Sequence, residues 1–237
     1  MQKIVELMKE HAEFGPQSRF IDVGSGLGKP NLYVAQNPGV EFSFGIEVEH
    51  IRNVLGLHNL QHVLLEAKKF PNYQIGTNCL LQHGNITEAT TFDPFTHVYM
   101  FDIGFPPTLF DELAEMFNRS KHSKYLICFH GPRLIIEDYG FDVELLKQIP
   151  TNMHGSKEIH SGYLYKRRYS LSEIENLPTK IPWNEEEEEV CCDPLFQDAY
   201  KTVKKGLNAV LEVVKEQIDK DMSAGRPRRS RKQIDRF

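Results

Sequence analysis

Between Phe20 and Glu47 the chain reads FIDVGSGLGKPNLYVAQNPGVEFSFGIE, and few folds accommodate such a run. Phe20 to Val23 is an apolar segment of strand type that breaks at once into Gly24-Ser25-Gly26-Leu27-Gly28, a strand-to-helix turn. Pro30 falls where a first helical residue would sit, its missing N–H costing nothing there, and Leu32, Val34 and Ala35 give that helix apolar positions. Phe42 to Ile46 reads as a second strand and ends on the carboxylate of Glu47. A glycine turn after one parallel strand and an acid after the next is the layout of a nucleoside cofactor site. The glycines let a ligand approach the backbone, and the acid accepts hydrogen bonds from the two ribose hydroxyls.

The glycines also narrow the choice of nucleoside. A dinucleotide fingerprint, G-x-G-x-x-G, requires glycine at position 29, and this chain has Lys29. Asp22 sits inside the turn, placed to receive a hydrogen bond from a ligand ammonium group, which an amino-acid-bearing cofactor carries and a pyrophosphate does not. S-adenosylmethionine is therefore the expected cofactor. The competing reading is an ordinary turn with structural glycines; against it, Asp22, Glu47 and Asn85 fall at three successive strand ends.

Met1 to Phe14 has helical periodicity and leads through Gly15-Pro16 into the first strand. His50 to Phe70 carries apolar residues at helical spacing and is closed by Pro71. Cys79 to Gln82 is a short third strand, followed by His83-Gly84-Asn85, where Asn85 and Ile86 could meet an adenine edge and face; a plain turn asparagine is the alternative. His97 to Ile103 is a fourth strand, Leu109 to Phe117 a helix, and Tyr125 to Phe129 a buried fifth strand stopped by His130-Gly131-Pro132. Phe141 to Met153, a loop through Gly155, and Gly162 to Tyr165 suggest a final antiparallel pair. Strand and helix alternating five times before a hairpin give an α/β fold with a doubly wound, mostly parallel seven-stranded sheet.

Beyond Arg168 the composition changes. Residues 169–194 contain Pro178, Pro182, Trp183 and the acidic run Glu185 to Glu189, read as a solvated linker. Leu195 to Met222 carries one apolar stripe (Phe196, Tyr200, Val203, Leu207, Val210, Val214, Ile218), a helical extension expected to dock onto the domain of residues 1–168. The basic tail, 223–237, holds six Arg or Lys between 226 and 236 on a chain of net charge −5, so it is a localised anion-seeking arm. The four cysteines, Cys79, Cys128, Cys191 and Cys192, lack the spacing of a disulfide framework or a zinc site, and no metal is expected. No apolar run approaches the roughly 20 residues of a membrane span, and the N-terminus does not read as a signal peptide, which together suggest intracellular residence without a membrane partner.

FIDVGSGLGKPN, FSFGIE, QHGNI, HVYMFDIGF and the hairpin ending GYLYKR, spread from Phe20 to Arg168, resemble the non-SET histone lysine methyltransferases named for disruption of telomeric silencing, and most of all their short trypanosome-type branch. The resemblance implies a class I S-adenosylmethionine-dependent methyltransferase acting in the nucleus on a lysine in the globular core of histone H-three, on nucleosomes. It implies that Asp22, Gly24 and Gly26 hold the methionine end of the cofactor, Glu47 the ribose, and Asn85 with Ile86 the adenine; Ser25 and Lys29 complete the cofactor set. Where the family has Asn-Asn-Phe after the fourth strand, this chain has Asp102-Ile103-Gly104, replacing an asparagine near the methyl group by a carboxylate.

Transfer from a sulfonium releases a neutral thioether, so no acid is needed; the acceptor must instead be a neutral amine. Lysine, with a pKa near 10.4, must be desolvated or must give up its proton. Asp102 is the candidate for positioning the amine, and Phe105 and Tyr163 are candidates for lining a lysine channel. The basic tail 225–237 is read as a DNA contact and import signal. The rival readings are a methyltransferase for another protein or for RNA, gripped by Lys166-Arg167-Arg168 and the tail, and a non-catalytic chromatin-binding module.

Overall fold

The computed structural model describes residues 1–69, 77–152, 159–168 and 191–223. Seven strands, β1 (Arg19–Val23), β2 (Phe42–Glu47), β3 (Cys79–His83), β4 (His97–Met100), β5 (Tyr125–Cys128), β6 (Val143–Asn152) and β7 (Ile159–Arg167), form one sheet in the order β3-β2-β1-β4-β5-β7-β6. The first five pair in parallel, and β7 enters antiparallel between β5 and β6. The order reverses between β1 and β4, which opens a crevice at the carboxyl ends of those strands.

Alternation along the strands sorts the helices to two faces. On one face Phe20, Tyr99, Tyr125, Ile127 and Leu164 pack with Ile4, Val5 and Met8 of α1 (Gln2–His11) and Val34 of α2 (Lys29–Gln36). The end of α1 is pinned by buried His97, whose Nε2–H donates to the Ala12 carbonyl (2.7 Å). α3 (His50–Lys69) joins this face, with Gly56 so close to the glycine turn that a Cβ there would lie 3.2 Å from the Gly26 carbonyl. The opposite face carries Ile21, Phe42, Phe44, Val98 and Met100 under α4 (Pro107–Arg119), which starts, as proline favours, on Pro107.

Where a single helix is expected over 195–222, the chain forms two: α5 (Pro194–Lys204) and α6 (Leu207–Ser223), separated at Gly206, whose φ of +91° suits glycine. Both dock on the sheet domain. Phe196 inserts edge-on against Phe44 and Phe95 (centroids 5.4 and 5.0 Å), and α6 packs along α3. Asp193 caps α5 through the Leu195 N–H and accepts the N–H groups of Thr90 and Thr91 with its other oxygen. On the far side of α5, Tyr200 and Lys204 both donate to Glu41, which also pairs with Arg19. The acidic run, the basic tail, Gly155 and Pro71 lie outside the described residues.

Candidate active site

The glycine turn is built by left-handed backbone at three positions. Gly24, Gly26 and Gly28 have φ of +75°, +54° and +71°, conformations that a side chain strains. The N–H groups of Gly24 and Ser25 both donate to the Ile46 carbonyl (2.9 and 3.1 Å), tying the turn to β2. Gly45 makes the close fit possible: a Cβ there would lie 2.7 Å from Ser25 Cβ and 2.8 Å from Asn31 Oδ1.

Two carboxylates flank this turn. Glu47 is 3% exposed; its Oε2 accepts the Gly26 N–H (2.7 Å) and its Oε1 the Glu49 N–H (2.8 Å), so its rotamer is fixed from both sides. Asp22, 2% exposed, has an Oδ2 without a hydrogen-bond partner among the described residues. Burial, and next the charge of Glu47, push its carboxyl well above the usual carboxylate range. An unpaired buried carboxylate oxygen is costly, and a cationic ligand group removes that cost. This orphaned oxygen, beside exposed Gly24 and a fixed second acid, fits the ammonium and ribose of S-adenosylmethionine.

The remaining cofactor candidates are spread along the same edge. The Gly84 N–H donates to the Glu47 carbonyl (3.1 Å), which sets the end of β3 beside that of β2. Asn85 is exposed, its Oδ1 capping a short 3-10 turn through the Thr87 N–H (3.2 Å), and Ile86 is buried beneath it. Ser25 is buried inside the turn, whereas Lys29 is exposed at the start of α2.

Of the three reaction-end candidates, Phe105 meets the glycine turn directly: a Cβ on Gly24 would lie 3.3 Å from its ring. Tyr163 stands on β7 opposite Cys128, with its hydroxyl 3.4 Å from where a Cβ of Gly131 would be. Asp102 requires a correction. It is 0% exposed, with Oδ1 accepting the Phe129 N–H and Oδ2 facing His130 Nδ1, each at 2.7 Å, so its carboxylate is enclosed rather than open to an amine. Burial raises its carboxyl pKa, partly offset by the hydrogen bond and charge of His130. The sequence reading missed His130, taking it for a strand stop; its position at the carboxyl end of β5 was the available signal. Arg167 is likewise not a phosphate grip, since it is buried and donates to the Ser120 and Asn118 carbonyls at the end of α4.

This strand order, with a glycine turn after β1 and a ribose-type acid after β2, is that of the class I S-adenosylmethionine-dependent methyltransferases. Residues 1–129, more than half of the chain, match the family of histone methylation protein DOT1, and the chain belongs to that family. S-adenosylmethionine is its cofactor. Among solved structures, the chain is similar to a protein of the NADB-Rossmann superfamily from Streptococcus agalactiae (14% identity, 72% of this chain and 70% of that one, TM-score 0.49). It is also similar to a Streptococcus pneumoniae protein described as a candidate tRNA (m1A22) methyltransferase (13%, 90% and 99%, TM-score 0.47). A third is a methyltransferase from Geobacter sulfurreducens in complex with S-adenosyl-L-homocysteine (10%, 64% and 68%, TM-score 0.43). No curated protein matches the chain.

Proposed function

We propose that this chain is a histone lysine N-methyltransferase that works in the nucleus on a lysine in the globular core of histone H-three, presented on nucleosomes. The observation that carries the reading is the unpartnered Oδ2 of buried Asp22 beside the Gly24–Gly28 turn, in a member of the histone methylation family. Asp22, Gly24, Ser25 and Gly26 would hold the methionine end, with Lys29 at the rim; Glu47 would take the ribose, and Asn85 with Ile86 the adenine. The cofactor supplies a methyl group on a sulfonium, whose departure as a neutral thioether calls for no acid.

The protein's own task is to deliver a neutral amine in line. Phe105 and Tyr163 give the lysine stem apolar walls, which favour the uncharged form by desolvation. Alignment contributes much of the acceleration, about 7–11 kcal/mol in good cases. The basic residues of 225–237 would hold nucleosomal DNA through its phosphates. Tritiated methyl transfer to recombinant nucleosomes, free histones and RNA in parallel tests the proposal. Label on a core lysine of nucleosomal H-three supports it, and label confined to RNA, or none at all, rejects it.

A further inference from the structure

The carboxyl ends of β4 and β5 bring together a pair of side chains that the cofactor site does not use. His130 Nδ1 faces Asp102 Oδ2 at 2.7 Å, and the other oxygen of Asp102 is held by the Phe129 N–H. A carboxylate can only accept, so the imidazole carries its proton on Nδ1 and leaves the Nε2 lone pair available. Nε2 has no hydrogen-bond partner among the described residues, and the side chain is 31% exposed while Asp102 is closed off. The backbone of His130 is fixed too, its carbonyl accepting the Tyr165 hydroxyl (2.8 Å). Phe110 meets the imidazole edge-on at 5.5 Å; the Phe105 ring lies 6.1 Å from that of Phe110, tilted against it, and itself lies against Gly24. On the other flank Tyr163 leans over Gly131, the next residue. An oriented imidazole with one open nitrogen thus stands next to the Gly131 that Tyr163 covers and one ring, Phe110, away from Phe105, two strands from the glycine turn.

We propose that His130 is the catalytic base that removes the proton from the target lysine, with Asp102 as a positioning residue behind it; this rests on the lysine methyltransferase reading above. The N–H bond of the ammonium breaks, its electron pair stays on the lysine nitrogen, and the proton joins the lone pair of His130 Nε2. The neutral amine then uses that pair for the new N–C bond, while the methyl–sulfur pair leaves with sulfur. The imidazolium, partly exposed, returns its proton to solvent. Asp102 stabilises that cation without itself receiving the proton, which is the task that its enclosed position allows.

Two measurements decide the matter. In protein labelled with 15N-histidine and free of donor, long-range 1H–15N spectra are expected to show His130 as the Nδ1–H tautomer, and Asp102→Asn to move it toward Nε2–H. Predominance of Nε2–H in the wild-type protein overturns the proposal. In single-turnover transfer to nucleosomes, His130→Asn and His130→Ala are expected to lose about 10²-fold or more in rate, the range of general base catalysis, with donor affinity by calorimetry within about twofold. Added imidazole is expected to restore part of the His130→Ala rate, as no structural role would allow. A rate within about threefold of wild type, or a loss that imidazole leaves untouched, removes His130 as the base. Should His130→Ala fail to bind donor, the rate of His130→Asn, which keeps an N–H toward Asp102, decides in its place. Failure of the underlying lysine reading shows separately, as a wild-type protein that labels no histone.

Discussion

Asp22 carries the sharpest consequence at the level of single residues. Its folded-state pKa is raised, so the folded protein binds that proton more tightly than the unfolded chain does. The stabilisation is complete below the unfolded value, near 3.9, and is lost as pH rises toward the folded one. Asp22→Asn, which removes the charge and keeps the shape, should therefore melt higher than wild type near pH 7 without donor, and the advantage should vanish near pH 4; paired melting curves check this. The same variant should lose about ten- to hundredfold in donor affinity by calorimetry, since hydrogen bonds to charged groups contribute about 1.5–3 kcal/mol. The placement of Asp22 and Glu47 beside the glycine turn was legible in the sequence because one is the penultimate and the other the last residue of a strand with a plain apolar run. The Asp102–His130 pair was not, because 28 residues separate them and only the pairing of β4 with β5 joins them. Likewise, a basic run such as Lys166-Arg167-Arg168 does not reveal that its middle member turns inward to cap α4.

Elements were read better than their edges. The parallel strands and their helices follow from apolar runs and proline or glycine punctuation, whereas β4 ends at Met100 rather than Ile103, and β7 runs from Ile159, well before Gly162. The turn after β5 is a π-helix over Arg133–Asp138, which no hydrophobic period announces. The break at Gly206 was hidden because apolar residues keep three- and four-residue steps straight through it, so the stripe looked continuous. Docking of α5 rests on Phe196, fully buried between aromatic rings of β2 and Phe95. Phe196→Ala should cost about 3–5 kcal/mol, a large share of the about 5–15 kcal/mol of a typical domain, measured by denaturant unfolding. Gly206→Ala should cost about 1–2 kcal/mol through left-handed backbone alone, as nothing among the described residues lies near enough to obstruct the new methyl group.

Across the whole molecule, residues far apart in sequence share one electrostatic contact. Burial alone would raise the Glu41 carboxyl, but hydrogen bonds from Lys204 and Tyr200 and the charges of Arg19 and Lys204 outweigh it and hold the pKa down. Stability from such a depressed acid is present above its unfolded pKa, near 4.3, and is lost as pH falls through the folded value. Glu41→Gln should thus loosen α5 at pH 7, seen as faster amide exchange in Tyr200 to Lys204, while the two proteins should converge in acid. The basic arm belongs to this scale as well: deleting 225–237 should weaken nucleosome affinity and flatten its dependence on salt, as expected where six cations meet phosphates.

Closure of the aromatic core by Phe196 has a consequence for synthesis. The ring of Phe95 leaves the ribosome roughly 100 residues before the one that seals it, and those of Phe42 and Phe44 roughly 150 residues before, so the wait is about 5–20 s for Phe95 at usual elongation rates and longer for the other two. During that time a nascent chain would present a sticky, half-finished surface, which makes it a natural client for holdase chaperones until α5 emerges and settles.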